Sequence, residues 1–371
     1  MATPDAIIVG GGIMGCSVAW KLADAGLKVL VLERSVPGAE ASSAAAGILG
    51  PAAEAHRDDL ALSLGLASRD LHALQATRLR EEHGMEIGHR RCGLLMTAFD
   101  EPSLNELRER ARFLKRANVP SDLVDSAEAK KLEPALHPEV HGGLLLPSEA
   151  QLEPRRLLRG LSLAAERAGA TFRSDTTVRR IATADAKVQG VEVEGERLDA
   201  PLVIVAAGSW TTQLVGLSLP ATAVRPVRGQ MVSTQTRPPL FSRIVFGAGG
   251  YLVPRPDGSL LCGSTEEAVG FERAVTFRGM SGILARATSL APSLADAPIT
   301  GYWSSFRPAT PDGLPIIGEM QARGLFVASG HYRNGILLGP ITAQIVSRLV
   351  LGDSDPTWDA LSPRRFLESA S

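Results

Sequence analysis

The hydrophobic pattern of this chain changes period several times. Ile7, Ile8 and Val9 form a short apolar run. Val18, Leu22 and Ala25 then share one helical face, with Gly26 placed to stop the helix. Residues 29–32 are apolar again and end at Glu33, so the start reads as strand, turn, helix, strand. Residues 60–82 read as a helix, with Leu60, Leu64, Leu71 and Leu74 near helical spacing. Leu104, Leu107, Ala111 and Leu114 mark an amphipathic helix closed before Pro120. Ser126 is placed to cap a short helix ending near Pro134. Residues 92–96 and 143–147 read as strands. Glu153 and Pro154 open a helix through Leu157, Leu158, Leu161 and Ala165, stopped at Gly169.

Further on, 171–172 and 178–181 read as strands, and 191–193 with 197–198 as a hairpin around Gly195. Residues 202–205 are wholly apolar, the pattern of a buried parallel strand, and 206–210 form a small-residue turn back to the first sheet. From 221 to 300 the texture changes. Runs at 230–234, 251–253 and 260–263 alternate with turns, Pro256-Asp257-Gly258 among them. This reads as an antiparallel sheet forming a second domain inserted in the first. Residues 306–313 read as a loop, 325–328 as a strand, 329–335 as a glycine-bearing loop, and a helix begins near Pro340.

Composition narrows the function classes. The 371 residues suggest two or three domains, and 44% hydrophobic content suffices for sizeable cores. A net charge of −1 offers neither a nucleic-acid face nor a polybasic lipid patch. Cys16, Cys92 and Cys262 lie far apart without zinc or CxxC spacing, which suits a reduced, cytoplasmic protein. His83, His89, His137 and His141 show no metal-ligand spacing, and no metal site is expected. The start of the chain lacks the pattern of a signal peptide, and no apolar run is long enough for a membrane span.

The chemistry concentrates at Gly10-Gly11-Gly12-Ile13-Met14-Gly15. A Gly-x-Gly-x-x-Gly between strand and helix is a dinucleotide-binding signature. Gly10 allows the turn, Gly12 lets backbone approach a pyrophosphate, and Gly15 lets helix and strand pack closely. The helix N-terminus offers N–H groups to the phosphates. Glu33, ending the second strand, is placed for a ribose diol. Residues 41–49 are nearly all small; they suit either a flat contact with a ligand or a tightly packed helix. The strand–loop–helix at 325–349 offers a second helix N-terminus.

Several motifs in order resemble the D-amino-acid oxidase superfamily of flavoproteins, and within it the bacterial glycine oxidases of the thiamine-biosynthesis type. They are Gly10 to Gly15 with Glu33, Ala41 to Leu49, Val205 to Trp210, Val227 to Gln230, Tyr251 to Arg255, Phe306 to Gly313 and Gly330 to Leu337. The resemblance implies an α/β fold: a Rossmann-like FAD-binding domain of the glutathione-reductase type, with a second α+β antiparallel-sheet substrate domain. The expected ranges are 1–85, 145–220 and 300–371 for FAD, and 86–144 and 221–299 for substrate. By position, Gly10, Gly12, Ile13, Met14, Gly15, Glu33, Arg34, Ser42, Ser43, Ala46, Gly47, Ile48, Val178 and Gly208 would contact the cofactor. His331, Tyr332, Arg333, Asn334, Gly335, Ile336 and Leu337 would approach its flavin end. Residues 302–305 lack the flavin-linking cysteine of some superfamily members, which implies non-covalent FAD.

The same resemblance places Arg307 at the substrate-carboxylate arginine, Tyr251 at a pocket tyrosine and Arg333 at a second arginine near substrate and flavin. It implies oxidative deamination of glycine, sarcosine or a small D-amino acid. Hydride would pass from Cα to flavin N5, and the products would be 2-oxo acid, ammonia and, through molecular oxygen, hydrogen peroxide. The alternative is a dehydrogenase passing electrons to a quinone or protein acceptor. A homo-oligomer is compatible with the resemblance.

Two positions depart from the family pattern. Gly249 replaces a histidine, and Glu266 replaces a pocket methionine, where an acid would attract an ammonium or a cationic side chain. Simpler readings stand beside these. Arg307 would also serve as a structural ion pair, Arg333 as a flavin or carboxylate partner, and Tyr251 as strand packing. Glu266 and Glu267 would also suit a solvated turn, and Cys16 a small packing residue.

Overall fold

The computed structural model describes residues 3–57 and 59–367 of the chain. Residues 1, 2, 58 and 368–371, which fall within the expected FAD-binding ranges, lie outside them. β1 (Ala6–Val9) leads through the glycine turn to α1 (Ile13–Asp24) and β2 (Val29–Leu32). The small-residue run breaks into α2 (Ala41–Ala44), β3 (Ile48–Leu49) and α3 (Pro51–Glu54), before the long α4 (Leu60–His83). Then come β4 (Leu94–Ala98), α5 (Glu101–Arg116), β5 (Asp122–Asp125), α6 (Ser126–Leu132), β6 (Gly142–Leu146), β7 (Ala150–Gln151) and α7 (Pro154–Arg167). β8 (Thr171–Arg173), β9 (Arg180–Ala184), β10 (Lys187–Val193), β11 (Glu196–Asp199) and β12 (Leu202–Val205) follow. The chain continues through β13 (Arg225–Gln235), β14 (Ile244–Gly247), β15 (Gly250–Pro254), β16 (Ser259–Gly263), α8 (Phe277–Leu290) and β17 (Ile299–Ala309). It then returns through β18 (Ile316–Glu319), β19 (Leu325–Ser329) and α9 (Gly335–Val350).

One sheet has the order β18-β19-β12-β1-β2-β8, parallel except for β18. Both faces of its central part are covered, so β1, β2 and β12 are apolar at every position rather than alternately, while the edge strand β8 is polar at both ends. On β1, Ala6 and Ile8 join the core beneath α1, α4, α7 and α9, while Ile7 and Val9 join the core beneath the β9–β11 sheet. The second sheet has the order β17-β13-β16-β15-β14-β4-β6-β5. Leu95, Val245 and Leu252 pack under Ile283, Ala287 and Leu290 of α8. Leu94, Ile244 and Val253 share the opposite core with Leu107 and Leu114 of α5 and with Ala46, Ala52 and Ala53. The pieces after β2 thus wedge against the second sheet.

Four local expectations are corrected. Arg307 lies in a strand, because 306–309 belong to β17 and pair with β13 rather than forming a loop. Prolines misled there: Pro308 sits on an edge strand opposite Pro226, where the ladder needs no N–H from either. The same pairing moves residues 300–309 out of the expected FAD-binding range and into the second sheet. On α4, Leu74 is exposed, and Leu64, Ser68 and His72 form the buried face. The cap of α6 is Asp125 rather than Ser126, its carboxylate accepting from the Glu128 N–H at 2.9 Å.

The fourth correction bears on the site. α9 begins at Gly335, and Pro340 lies inside it. Without an N–H, Pro340 strands the Ile336 carbonyl four residues back. His72 of α4 answers it: Nε2 lies 2.8 Å from the Ile336 oxygen and 3.2 Å from the Leu337 oxygen. A carbonyl only accepts, so Nε2 carries the proton. Burial holds this imidazole neutral, its pKa pushed down to about 4. Ser68 Oγ donates to the Leu337 carbonyl at 2.6 Å. Two side chains from a distant helix complete the first turn of α9.

Candidate active site

The glycine turn is shaped by close approaches. Gly10 has φ +106, and a Cβ there would lie 2.5 Å from the Ala206 oxygen; a Cβ on Gly15 would lie 1.8 Å from the Gly10 oxygen. Gly12 opens instead onto a cavity of about 770 Å³ that runs between the two sheets, a size typical of ligand sites. Gly10, Ile13, Met14, Glu33, Arg34, Ser42, Ala46, Gly47, Ile48, Val178 and Gly208 line it with Gly12. Ser42 Oγ accepts from the Ile13 N–H at 3.0 Å, and Glu33 accepts from the Gly11 N–H at 2.7 Å and the Ser35 N–H at 3.0 Å. Arg255 is buried and donates to the Ala46 carbonyl at 2.6 Å, which pins the small-residue run.

A strap crosses this end. Residues 264–276, between β16 and α8, place Phe271 on Trp210 (ring centroids 5.1 Å apart) and Arg273 against Glu40. The Arg34 guanidinium stacks on the other partner, 3.7 Å from the Trp210 ring centroid, and pairs with Glu40 at 2.6 Å. The strap is held by a buried set: Arg228 donates to Glu267 at 2.5 Å, and Gln230 donates to the same carboxylate at 2.9 Å. Glu267 is therefore a half-buried anchor on two buried partners, within a stretch whose neighbouring residues are exposed.

At the other end the cavity meets Tyr251, Arg307 and Arg333. Arg307 donates to the Thr265 carbonyl at 2.9 Å and to Ser264 Oγ at 2.8 Å. Its guanidinium lies flat on Gly229, where a Cβ would sit 2.3 Å from Nη1. Tyr251 lies against Gly263, stacks on Phe246 at 5.6 Å and donates to Met231 Sδ at 3.1 Å. Arg333 reaches Glu54 at 2.9 Å and also pairs with Glu266, whose other oxygen accepts from the Tyr332 hydroxyl at 2.7 Å. Burial pulls the Glu266 carboxyl up, but Tyr332, Arg333 and Arg307 outweigh it and hold it below the usual range. His331 is buried and neutral, pushed down to about 3, with Nε2 2.9 Å from Thr342 Oγ1.

A family model for FAD-dependent oxidoreductases (DAO) matches residues 5–349. The chain belongs to this family. It is 37% identical to a glycine oxidase of Geobacillus kaustophilus, over 93% of this chain and 92% of that protein. The crystal structure of glycine oxidase from Geobacillus kaustophilus superposes with a TM-score of 0.93, covering 98% of both chains at 35% identity. Iminodiacetate oxidase from a Chelativorans species superposes with a TM-score of 0.89 at 29% identity, covering 96% of this chain and 98% of that one. A bifunctional protein ThiO/ThiG from Synechocystis is 37% identical over the whole chain, which spans 55% of that relative. The chain thus covers about half the length of its ThiO/ThiG relatives and nearly all of the glycine oxidase.

This FAD-dependent oxidoreductase carries a cavity whose donors fit its cofactor. A helix N-terminus and a Cβ-free turn face one stretch, a carboxylate ends the second strand beside it, and the first turn of α9 faces the far end. His331, Tyr332, Arg333, Asn334, Gly335 and Ile336 all line it. Three expected cofactor residues do not. Gly15 backs the turn against Gly10, Ser43 turns towards Gly38, and Leu337 is 3% exposed in the core under α4. Cys16 is a packing residue whose buried thiol is pushed up to about 12. Sequence reading missed Glu54, Trp210 as a stacking partner, Gly229, Met231, Phe246 and Ser264. Gly229 and Met231 alternate with Arg228 and Gln230 on β13, a period-2 signal usable once the strand's facing is known.

Proposed function

We propose that this enzyme oxidises a small α-amino acid, glycine, sarcosine or a small D-amino acid, to the imine, which water hydrolyses to the 2-oxo acid and ammonia (methylamine from sarcosine), while molecular oxygen is reduced to hydrogen peroxide. The observation that carries this is Arg307. It points into the same cavity as the cofactor-facing turn of α9, held by neutral partners and so free to receive a carboxylate. When bound, the flavin supplies the two-electron acceptor for the substrate Cα–H. Arg307 pairs with the substrate carboxylate through its planar fork, which fixes orientation as well as charge. Tyr251, Phe246 and Met231 form the apolar wall that excludes water around the Cα–H. Placement of this kind is the protein's share of such a reaction.

The Glu33 carboxylate takes the ribose diol, and residues 302–305 offer no cysteine, so FAD is held non-covalently. Soluble cytoplasmic enzyme and homo-oligomer remain parts of this reading, as does a product used in thiamine biosynthesis. Among the described residues no helix is long and apolar enough to cross a membrane. The test is peroxide release from the holoenzyme with glycine, sarcosine and D-alanine, beside turnover with an artificial acceptor under argon. Turnover confined to the artificial acceptor would make it a dehydrogenase; no bleaching of the flavin by any amino acid would end the proposal. Acid precipitation should release the yellow colour into the supernatant.

A further inference from the structure

The substrate end of the cavity holds two guanidinium groups with opposite surroundings. Among the described residues Arg307 pairs with no carboxylate; its partners are a hydroxyl and a carbonyl. Arg333 pairs with two carboxylates, Glu54 from α3 and Glu266 from the strap. Tyr332, at φ +47, adds its hydroxyl to the second Glu266 oxygen. The four charges cancel: two arginines against two glutamates. Arg307 is left as the one unspent cation of this set, and Arg333 is covered on both sides.

Resting on the reading above, we propose that Glu266 is a specificity residue that restricts this enzyme to amines bearing a single carboxylate. With Glu54, which lines the cavity beside Arg333, it neutralises that guanidinium from behind, so a second carboxylate entering the pocket meets a paired arginine instead of a free one. A substrate with one carboxylate spends Arg307 and leaves the rest of the site balanced. A dicarboxylate must either displace Glu266 from Tyr332 and Arg333 or sit unpaired beside it, and both are costly for a group leaving water.

Methoxyacetate and oxydiacetate are unreactive ether analogues of N-methylglycine and its N-carboxymethyl counterpart, and differ by one carboxylate. Their dissociation constants from the holoenzyme are read from the change in flavin absorbance. Wild type should prefer methoxyacetate by roughly 100-fold, and Glu266→Gln should shrink that preference at least about tenfold. Glu266→Met serves as the second variant should the amide disturb the Tyr332 contact. Turnover of sarcosine and iminodiacetate should shift in the same ratio. If both analogues bind and the preference is the same in all three proteins, Glu266 does not set it and the inference is wrong. If neither analogue perturbs the flavin in wild type, the amino-acid site itself is misassigned and the inference falls with it.

Discussion

Replacing Gly229 with Ala would move Arg307 without removing it. A methyl group on residue 229 would lie 2.3 Å from Nη1, 2.4 Å from Nη2 and 2.5 Å from Cζ of Arg307. Unstrained contacts between such atoms are about 3.5–4.0 Å, so the guanidinium must retreat by about 1 Å. The retreat gives up the bonds to Ser264 and Thr265. Residue 229 lies within β13 without a positive φ, and the nearest atoms a methyl would meet are the far end of one flexible side chain, so the protein should fold and keep FAD. A misplacement of about 1 Å in a positioning group costs about 100-fold, so kcat/KM for glycine or sarcosine should fall about that far. Arg307→Ala removes the partner of a buried charge, about 2–5 kcal/mol, or about 30- to 5,000-fold in kcat/KM. The double variant decides the cause. If Gly229→Ala acts through Arg307, it should cost little once Arg307 is Ala. A primary amine without a carboxylate should lose little in any of these variants. Additive losses in the double variant, or equal losses on the amine, would refute the carboxylate role.

Glu33→Ala should weaken FAD by about 1–3 kcal/mol in titrations of apoprotein, since the buried Gly11 N–H loses its acceptor along with the proposed ribose contact; unchanged affinity would remove Glu33 from the site. His72→Phe should destabilise the protein by about 1–3 kcal/mol by leaving the Ile336 carbonyl bare. Pro340→Ala, which restores the helical N–H, should recover part of that loss in thermal denaturation. Glu149 is buried beside Arg69 at 3.7 Å, and burial raises its pKa from 4.5 to about 7. Between those values the unfolded chain sheds a proton that the native state keeps, so this residue's contribution to stability falls as pH rises through that window and is level above it. Glu149→Gln should flatten that part of the denaturation midpoint against pH, and an unchanged slope would refute the assignment.

The start of the chain was legible because its signals are local. An apolar run, three glycines and an acid all lie within one βαβ unit, and β2 falls on 29–32 as expected. Arg307 was legible as a residue but not as part of a strand, because proline reads as loop unless the strand is known to be an edge. The start of α9 was lost for a related reason. Pro340 has the look of a first-turn residue, and the donors that let it sit deeper, His72 and Ser68, lie more than 260 positions away. Glu54 carried no signal at all: α3 is four residues long, and its carboxylate meets Arg333 only through the tertiary fold.

β13 contributes to both ends of the cavity. Its residues alternate between two tasks. Gly229 and Met231 face the cavity, one as the floor under Arg307 and the other as the acceptor of the Tyr251 hydroxyl. Arg228 and Gln230 face away and grip Glu267. That grip fixes the strap, and the strap carries Ser264 and Thr265 to Arg307, Glu266 to Arg333, and Arg273 to Glu40 across the cofactor end. A single segment therefore holds Arg307, the proposed substrate anchor, balances the second arginine and closes over the stretch by Arg34 and Trp210. The strap's contacts with Glu40 and Trp210 are on the rim, whereas its contacts with Arg228 and Gln230 are buried. Phe271 also packs on the buried Phe306, so the strap is tied to the interior at both ends and the grip on Glu267 lies between them.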